Sequence, residues 1–442
     1  VGLIYLVLPT FNHLAGKELS LQLLDGTYLL SLVAIALLTG LLAGSYPALL
    51  LSGYRPVVVL QGKIKLATSN LFFRNGLVVF QFALSLLLFV GTVVVYKQLN
   101  FIRNKNLGFE QTNLLYFPVK DNTLSQQEAL KTALQQHSST SDFSLVSRLP
   151  TNLTAGALNV TWEGKAPDLK VIFHHMGIDD NFIEVFGVAM LSGRNFSDDL
   201  TTDTANYLVN EKAVEVMGMD VREAIGQSFG YNGKKGTIIG VVKNFNFKPL
   251  QYAIEPMFLR WQRKGELMVI RTPPGAVAQA ISSLEKTYQD LNPGYPFTYH
   301  FVDEELESQY QGEQQMGQIF TIFAGLALFI SCLGLYGLAA FVAEQRTKEI
   351  SIRKVLGANI LGLVNLLSQD FFRLVVAALL LAVPLSWYFM NEWLHSFAYR
   401  TPLSWWVFIV PSMIMLIITL LTISGQVLKT AFANPVDSLR NE

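Results

Sequence analysis

The stretch GQIFTIFAGLALFISCLGLYGLAAFVA, Gly317 to Ala343, runs 27 residues without a charge and ends against the densely charged EQRTKEISIRKVLGANI, Glu344 to Ile360. A helix needs roughly 20 apolar residues to cross a hydrocarbon core of about 30 Å. The first stretch is therefore long enough to span a membrane, and the second marks where the chain leaves it. Working outward, four more windows share this character: Tyr28–Leu51, Gly76–Tyr96, Phe371–Met390 and Leu403–Leu428. Of the 442 residues, 51% are hydrophobic and only 15% charged, less charge than a soluble chain of this length usually carries. Five such windows outweigh the alternative of buried helices in a large soluble protein. The formal net charge is +0, so no global field points to nucleic acid. Cys332 is the single cysteine and lies within an apolar window, so no intrachain disulfide can form.

Lysine and arginine in short loops set the orientation of the spans. Arg55, Lys63, Lys65, Arg74, Arg346, Lys348, Arg353, Lys354, Lys429 and Arg440 fall on one side of the predicted membrane. The opposing short loops carry only Lys17 and Arg400. The side with ten basic residues is therefore cytoplasmic. The insert from Lys97 to Met316 must lie outside, and its length exempts it from the charge rule.

That insert holds 25 acidic and 20 basic residues and reads as a soluble α+β domain. Thr237–Phe247 and Leu267–Thr272 have strand character, and Pro274–Leu291 reads as an amphipathic helix stopped by Asn292-Pro293-Gly294. Asn232-Gly233 predicts a hairpin turn. Phe301–Phe320 is expected to form one polar helix running straight into the next span. A weak repeat at an offset of 379 residues places Asn12 on Asn391, Ser45 on Ser424, and PVVVL (Pro56–Leu60) on PVDSL (Pro435–Leu439).

The expected organisation is a polytopic α-helical membrane protein with an inserted α+β extracytoplasmic domain. Residues 1–63 would end a first repeat, and 64–96 would be a linker and the first span of a second. The external domain would fill 97–316. A three-span domain over 317–428 would contain a cytoplasmic segment, 344–370, and a tail would follow from 429 to 442. The first eight residues read like the end of another span, so the sequence is expected to be the C-terminal part of a double-length chain.

Within the charged block, Glu344/Lys348 and Glu349/Arg353 are (i, i+4) pairs in the favourable acid-first order. Charge alone leaves two readings open: a solvated membrane-flanking loop, or a docking surface for a cytoplasmic partner. Resemblance separates them. EQRTKEISIRKVLGA resembles the cytoplasmic signature of the FtsX/MacB-like family of ABC transporter permeases. Arg74–Phe109 is similar to that family's first span and its exit, and Asn181–Phe196 and Ile238–Leu250 to its external domain. Ala433–Glu442 is similar to its C-terminus, and Gly44–Lys63 to the end of a preceding repeat. Asn244 departs from the aspartate expected in many relatives.

The resemblance implies a MacB-like periplasmic domain, a multi-pass location in a bacterial inner membrane, and a partner ABC ATPase. That ATPase would bind the ATP and Mg, with no cofactor in this chain, and would dock on 344–370. Glu344, Arg346, Lys348, Glu349, Arg353, Lys354, Leu356 and Gly357 are the coupling residues it implies. It further implies mechanotransmission to the periplasmic domain by paired permease units surrounded by membrane lipid. The end would be efflux or extraction of a lipoprotein, peptide or antibiotic-like substrate, or, without export, regulation of a cell-wall hydrolase or sensor through a periplasmic partner.

An embedded enzyme is the rival class. The chain contains no G-x-x-x-x-G-K-[ST] and no H-E-x-x-H. A membrane-anchored sensor kinase would need a cytoplasmic kinase domain that this chain does not contain. His174 and His175 are adjacent, so on a strand they face opposite ways and cannot chelate one metal together. Arg194 sits in LSGRNF, either in a binding loop or in an exposed turn.

Overall fold

The computed structural model of the protein describes residues 2–16, 18–20, 25–52, 68–119, 132, 134, 142–345 and 360–431. Helix α1 spans Gly2–Ala15, α2 spans Gly26–Ser52, and α3 runs from Thr68 to Asn104. Clustering of contacts divides the chain into two units. One comprises Val1–Lys97, Glu313–Glu392 and Pro402–Glu442; the other comprises Gln98–Gly312 and Trp393–Thr401.

The second unit is the inserted domain, a mixed sheet with short helices. In chain order its elements are β1 (Leu114–Pro118), β2 (Asp142–Val146), β3 (Gly156–Ala157), β4 (Val160–Trp162), β5 (Phe173–Ile178), α4 (Phe182–Val185), β6 (Met190–Gly193), a 3-10 turn at Thr201–Ala205, β7 (Tyr207–Asn210) and α5 (Glu211–Met217). There follow β8 (Ser228–Tyr231), β9 (Lys234–Val242), β10 (Met257–Trp261), β11 (Leu267–Arg271), α6 (Val277–Leu291), β12 (His300–Phe301) and α7 (Val302–Ser308). The strand order is β12-β1-β11-β2-β5-β10-β7-β9-β8-β4, with β3 on β5 and β6 on β9. β5/β10 and β7/β9 are parallel and the other pairs antiparallel.

Local chemistry explains these elements. Asn232 (φ 51°) and Gly233 (φ 78°) occupy the two left-handed positions between β8 and β9, where Tyr231 faces Lys234. This is the conformation that Asn-Gly favours in a two-residue hairpin. Helix α5 begins at Asn210, whose side chain accepts from the Ala213 amide, and ends at Gly218 with φ 72°. Helix α6 buries Ala280, Leu284 and Tyr288, spaced four apart, so that one stripe faces the sheet.

Two expectations fail instructively. The strand read as Thr237–Phe247 ends at Val242. Beyond it the backbone finds other partners: the Asn244 amide donates to Glu211, and the Asn246 amide donates to the Leu107 carbonyl. Phe245, Asn246 and Phe247 are all buried, which an alternating strand on a half-exposed sheet does not allow. The polar helix expected over Phe301–Phe320 is also two pieces. α7 stops at Ser308, and a new helix starts at Gln311. Tyr310 lies between them, buried in the domain core, with its hydroxyl accepting from the Leu250 amide at 2.8 Å. That burial gives the junction a fixed anchor.

The remaining helices are α8 (Gln311–Gln345), α9 (Ile360–His395) and α10 (Trp406–Ala431). Among the described residues, five stretches are long and apolar enough to cross a membrane: Gly26–Ser45, Arg74–Asn104, Gln311–Val342, Phe371–His395 and Trp406–Gly425. Each overlaps one of the windows read from the sequence. In the helical unit α3, α8 and α9 meet at Gly91, where a Cβ would sit 3.0 Å from the Phe320 ring and 3.7 Å from the Met390 sulfur. Small residues at such crossings let helices approach closely where lipid supplies no hydrophobic drive. The Ser85 and Ser331 hydroxyls pair at 3.2 Å across the same α3–α8 seam.

Candidate functional site

Glu344 lies at the exposed end of α8. Arg346, Lys348, Glu349, Arg353, Lys354, Leu356 and Gly357 lie outside the described residues, which resume at Ile360 with α9. The geometry of the charged block therefore contributes only its two anchors, the ends of α8 and α9.

The loop after α9 is better defined and was not legible as part of the inserted domain. Trp393–Thr401 belongs to that unit, although the residues on either side of it belong to the helical one. Gln98, fully buried, holds it from two sides: Nε2 donates to the Tyr399 carbonyl at 2.9 Å, and Oε1 accepts from the Thr401 amide at 2.9 Å. The Ala398 amide donates to the Gln251 carbonyl at 3.1 Å and the Tyr399 amide to that of Leu250 at 3.2 Å. Phe397 packs in the domain core, and the Lys105 ammonium sits 4.4 Å from the centre of the Tyr399 ring. The chain thus passes between the two units four times. Glutamine in an apolar helix reads as a span residue; only its partners, the Tyr399 carbonyl and the Thr401 amide, show it to be a clasp.

Replacing Gln98 with leucine is expected to leave the buried Thr401 amide and the half-buried Tyr399 carbonyl unpaired and to cost about 1–3 kcal/mol locally. Hydrogen exchange at Thr401 should speed up by roughly tenfold or more while exchange in β10 stays unchanged. Equal protection at Thr401 in both proteins would refute the clasp.

Polar groups inside the domain are mostly structural. Arg194 is exposed in the loop that follows β6, and its guanidinium grips Asp203 at 2.7 and 2.8 Å. The Asp203 side chain is fully buried and also accepts from the Ser197 amide and the Asn206 side chain. The Arg194 hydrogen bonds, reinforced by these two, hold its carboxyl below the usual carboxylate range despite the desolvation that opposes them.

His174 and His175 point to opposite sides of β5. His174 accompanies Phe247 on one side, within hydrogen-bond distance of the Ala155 carbonyl and with Lys248 and Glu255 at its Nε2. Burial, then the Lys248 charge, lowers its pKa. The ring Nε2, the Lys248 ammonium and the Glu255 carboxylate meet in one cluster, each within contact of the other two. His175 stacks on Phe258 and pairs with the Tyr231 hydroxyl at 3.0 Å, its pKa likewise lowered, chiefly by burial. Asn244, where an aspartate was expected, accepts from the Lys212 amide in the first turn of α5 and so serves the local turn. Tyr116 donates to Glu305, tying β1 to α7, and its burial pushes the phenol up to about 12.

Membrane-length helices interrupted by one α+β domain, with a charged segment in the sequence between the ends of α8 and α9, make this a polytopic membrane protein with an inserted domain. Residues 321–435 match the FtsX-like permease C-terminal family, and the chain resembles permeases of the FtsX/MacB type. It is similar to the macrolide export ATP-binding/permease protein MacB of Chromobacterium violaceum, 23% identical over 193 residues. That similarity covers 42% of this chain and 30% of the relative. Among solved structures, the periplasmic region of MacB from Actinobacillus actinomycetemcomitans is similar at 13% identity and a TM-score of 0.33, over 47% of this chain and 97% of that one. The extracellular domain of the noncanonic ABC-type transporter YknZ from Gram-positive bacteria is similar at 13% identity and a TM-score of 0.29, over 42% and 97%.

Proposed function

We propose that this chain is the membrane subunit of an ABC transporter and passes the work of a partner ATPase to its extracytoplasmic domain. The observation that carries this reading is the FtsX-like match over 321–435, which contains the whole charged block, most of the span before it and the span after it. ATP and Mg would be bound by the ATPase, docked on Glu344–Asp370 at the basic, cytoplasmic face of the inner membrane. The domain would lie in the periplasm. The chain's four passages between its units support mechanical transmission, because a helix displacement has several covalent routes into the domain. The work so transmitted would extract or export a lipoprotein, a peptide or an antibiotic-like molecule.

The test is a pull-down from native membranes with wild type beside Arg353→Glu/Lys354→Glu, recording ATPase activity and co-purifying proteins. An ATPase should accompany wild type and be lost with the double reversal, since like charges facing an interface cost several kcal/mol. An ATPase retained by the variant would remove the docking assignment. None with either protein would overturn the transporter reading.

A further inference from the structure

The inserted domain contains a cavity of about 500 Å³, within the usual range for small-ligand sites. One wall comes from the turn that follows α3 and the other from the irregular segment that follows β9. Two ammonium groups, Lys105 and Lys243, line it, and among the described residues neither has an acidic partner. The acid at the cavity, Glu110, is engaged by Arg271. Phe109, Ile254 and the Tyr399 ring supply an apolar side.

The decisive residue is Asn246, which lines the cavity and is only 7% exposed. Its Nδ2 and its backbone amide share the Leu107 carbonyl, at 3.4 and 2.7 Å. Flipping the side-chain amide would turn Oδ1 against that carbonyl, so the orientation is fixed. Oδ1 is left as a buried acceptor with no donor. Buried acceptors of this kind are rare, because each one left unmade is costly.

The wall therefore asks for three things at once: a negative charge for two lysines, an N–H for an orphaned acceptor, and a compact apolar group. A fatty acid has no N–H to give, and inorganic phosphate has no apolar body. A peptide C-terminus carries all three within one residue: its carboxylate, its amide N–H and its side chain. We propose that this cavity binds the free C-terminal carboxylate of a short peptide segment. Lys105 and Lys243 hold the carboxylate, and Asn246 accepts from the peptide. This site goes beyond the coupling role and stands without it, because it is tested by equilibrium binding to this chain alone.

The experiment uses the detergent-solubilised full chain and ligand-observed NMR with N-acetyl-Ala-Leu-Ala as the acid, the same peptide as its C-terminal amide, and octanoate. The acid should bind saturably and about tenfold or more tighter than the amide or octanoate, in line with a charge-assisted contact. Lys105→Ala/Lys243→Ala should lose that preference in a protein that still unfolds cooperatively on heating. Equal binding of acid and amide, octanoate binding as tightly as the acid, or no saturable binding at millimolar peptide would each overturn the proposal. So would a folded double variant that keeps the preference. The acid-against-amide comparison needs no variant and stands if the double substitution disturbs folding.

Discussion

Replacing Asp203 with alanine is expected to cost the extracytoplasmic domain about 3 kcal/mol or more, the low end for breaking a buried ion pair by removing one partner. The carboxylate is fully buried and accepts from both arms of Arg194, from the Ser197 amide and from the Asn206 side chain. Alanine leaves those donors facing a void. Arg194 is 45% exposed and regains water, which is why the low end applies; the Ser197 amide and the Asn206 side chain have less recourse. The contribution also has a pH signature. Asp203 has a depressed pKa in the fold, so its stabilisation is fully present above the unfolded value of about 3.9 and is lost as pH falls through the folded value. The gap between wild type and Asp203→Ala should therefore close only under strong acid. Hydrogen exchange of β7 and β9 amides in the solubilised chain measures both effects. A gap that closes already near pH 6 would show that another group carries the stability.

Phe258→Ala is expected to be at least as damaging, about 3–5 kcal/mol, because it removes the centre of an aromatic cluster. Phe258 lies on β10, fully buried, with its ring centroid 5.2 Å from His175, 5.3 Å from Phe229, 5.6 Å from Tyr207 and 5.0 Å from Tyr231. These four side chains come from β5, β8, β7 and the end of β8, so the cavity would loosen the sheet where it changes between parallel and antiparallel pairing. Phe258→Leu keeps most of the volume and should cost far less. Comparable losses for the two variants in thermal unfolding would indicate that the edge-to-face ring contacts, not the filled volume, hold this region together.

The Asp203–Arg194 pair shows where reading the chain alone stops. Asp203 sits in SDDLTTDTAN, a polar run that looks like solvated loop, and Arg194 in a short glycine-containing turn. Nothing in either stretch says that nine residues of chain fold back to bury one against the other. Gln98 likewise looks like a tolerated polar residue near a span end, and the stretch 393–401, inside the connection read as Asn391–Pro402, looks like part of a short external loop. Its place in the domain depends on backbone acceptors of Leu250 and Gln251, some 150 residues away in sequence.

What the sequence determined by itself were the features governed by local chemistry. A membrane imposes a continuous apolar length of its own, so all five spanning stretches were legible, and so was the external domain between them. Asn232-Gly233 fixed a hairpin because those two residues tolerate the left-handed conformation. The amphipathic stripe of α6 showed its buried face through a fixed four-residue spacing. Tertiary structure alone decided where β9 ends, where the helix before the spans breaks, which carboxylate is buried and which loop joins the domain. Each of those depends on a polar backbone or side-chain group finding a partner far away in sequence. Such pairing has no period, so no pattern in the chain announces it.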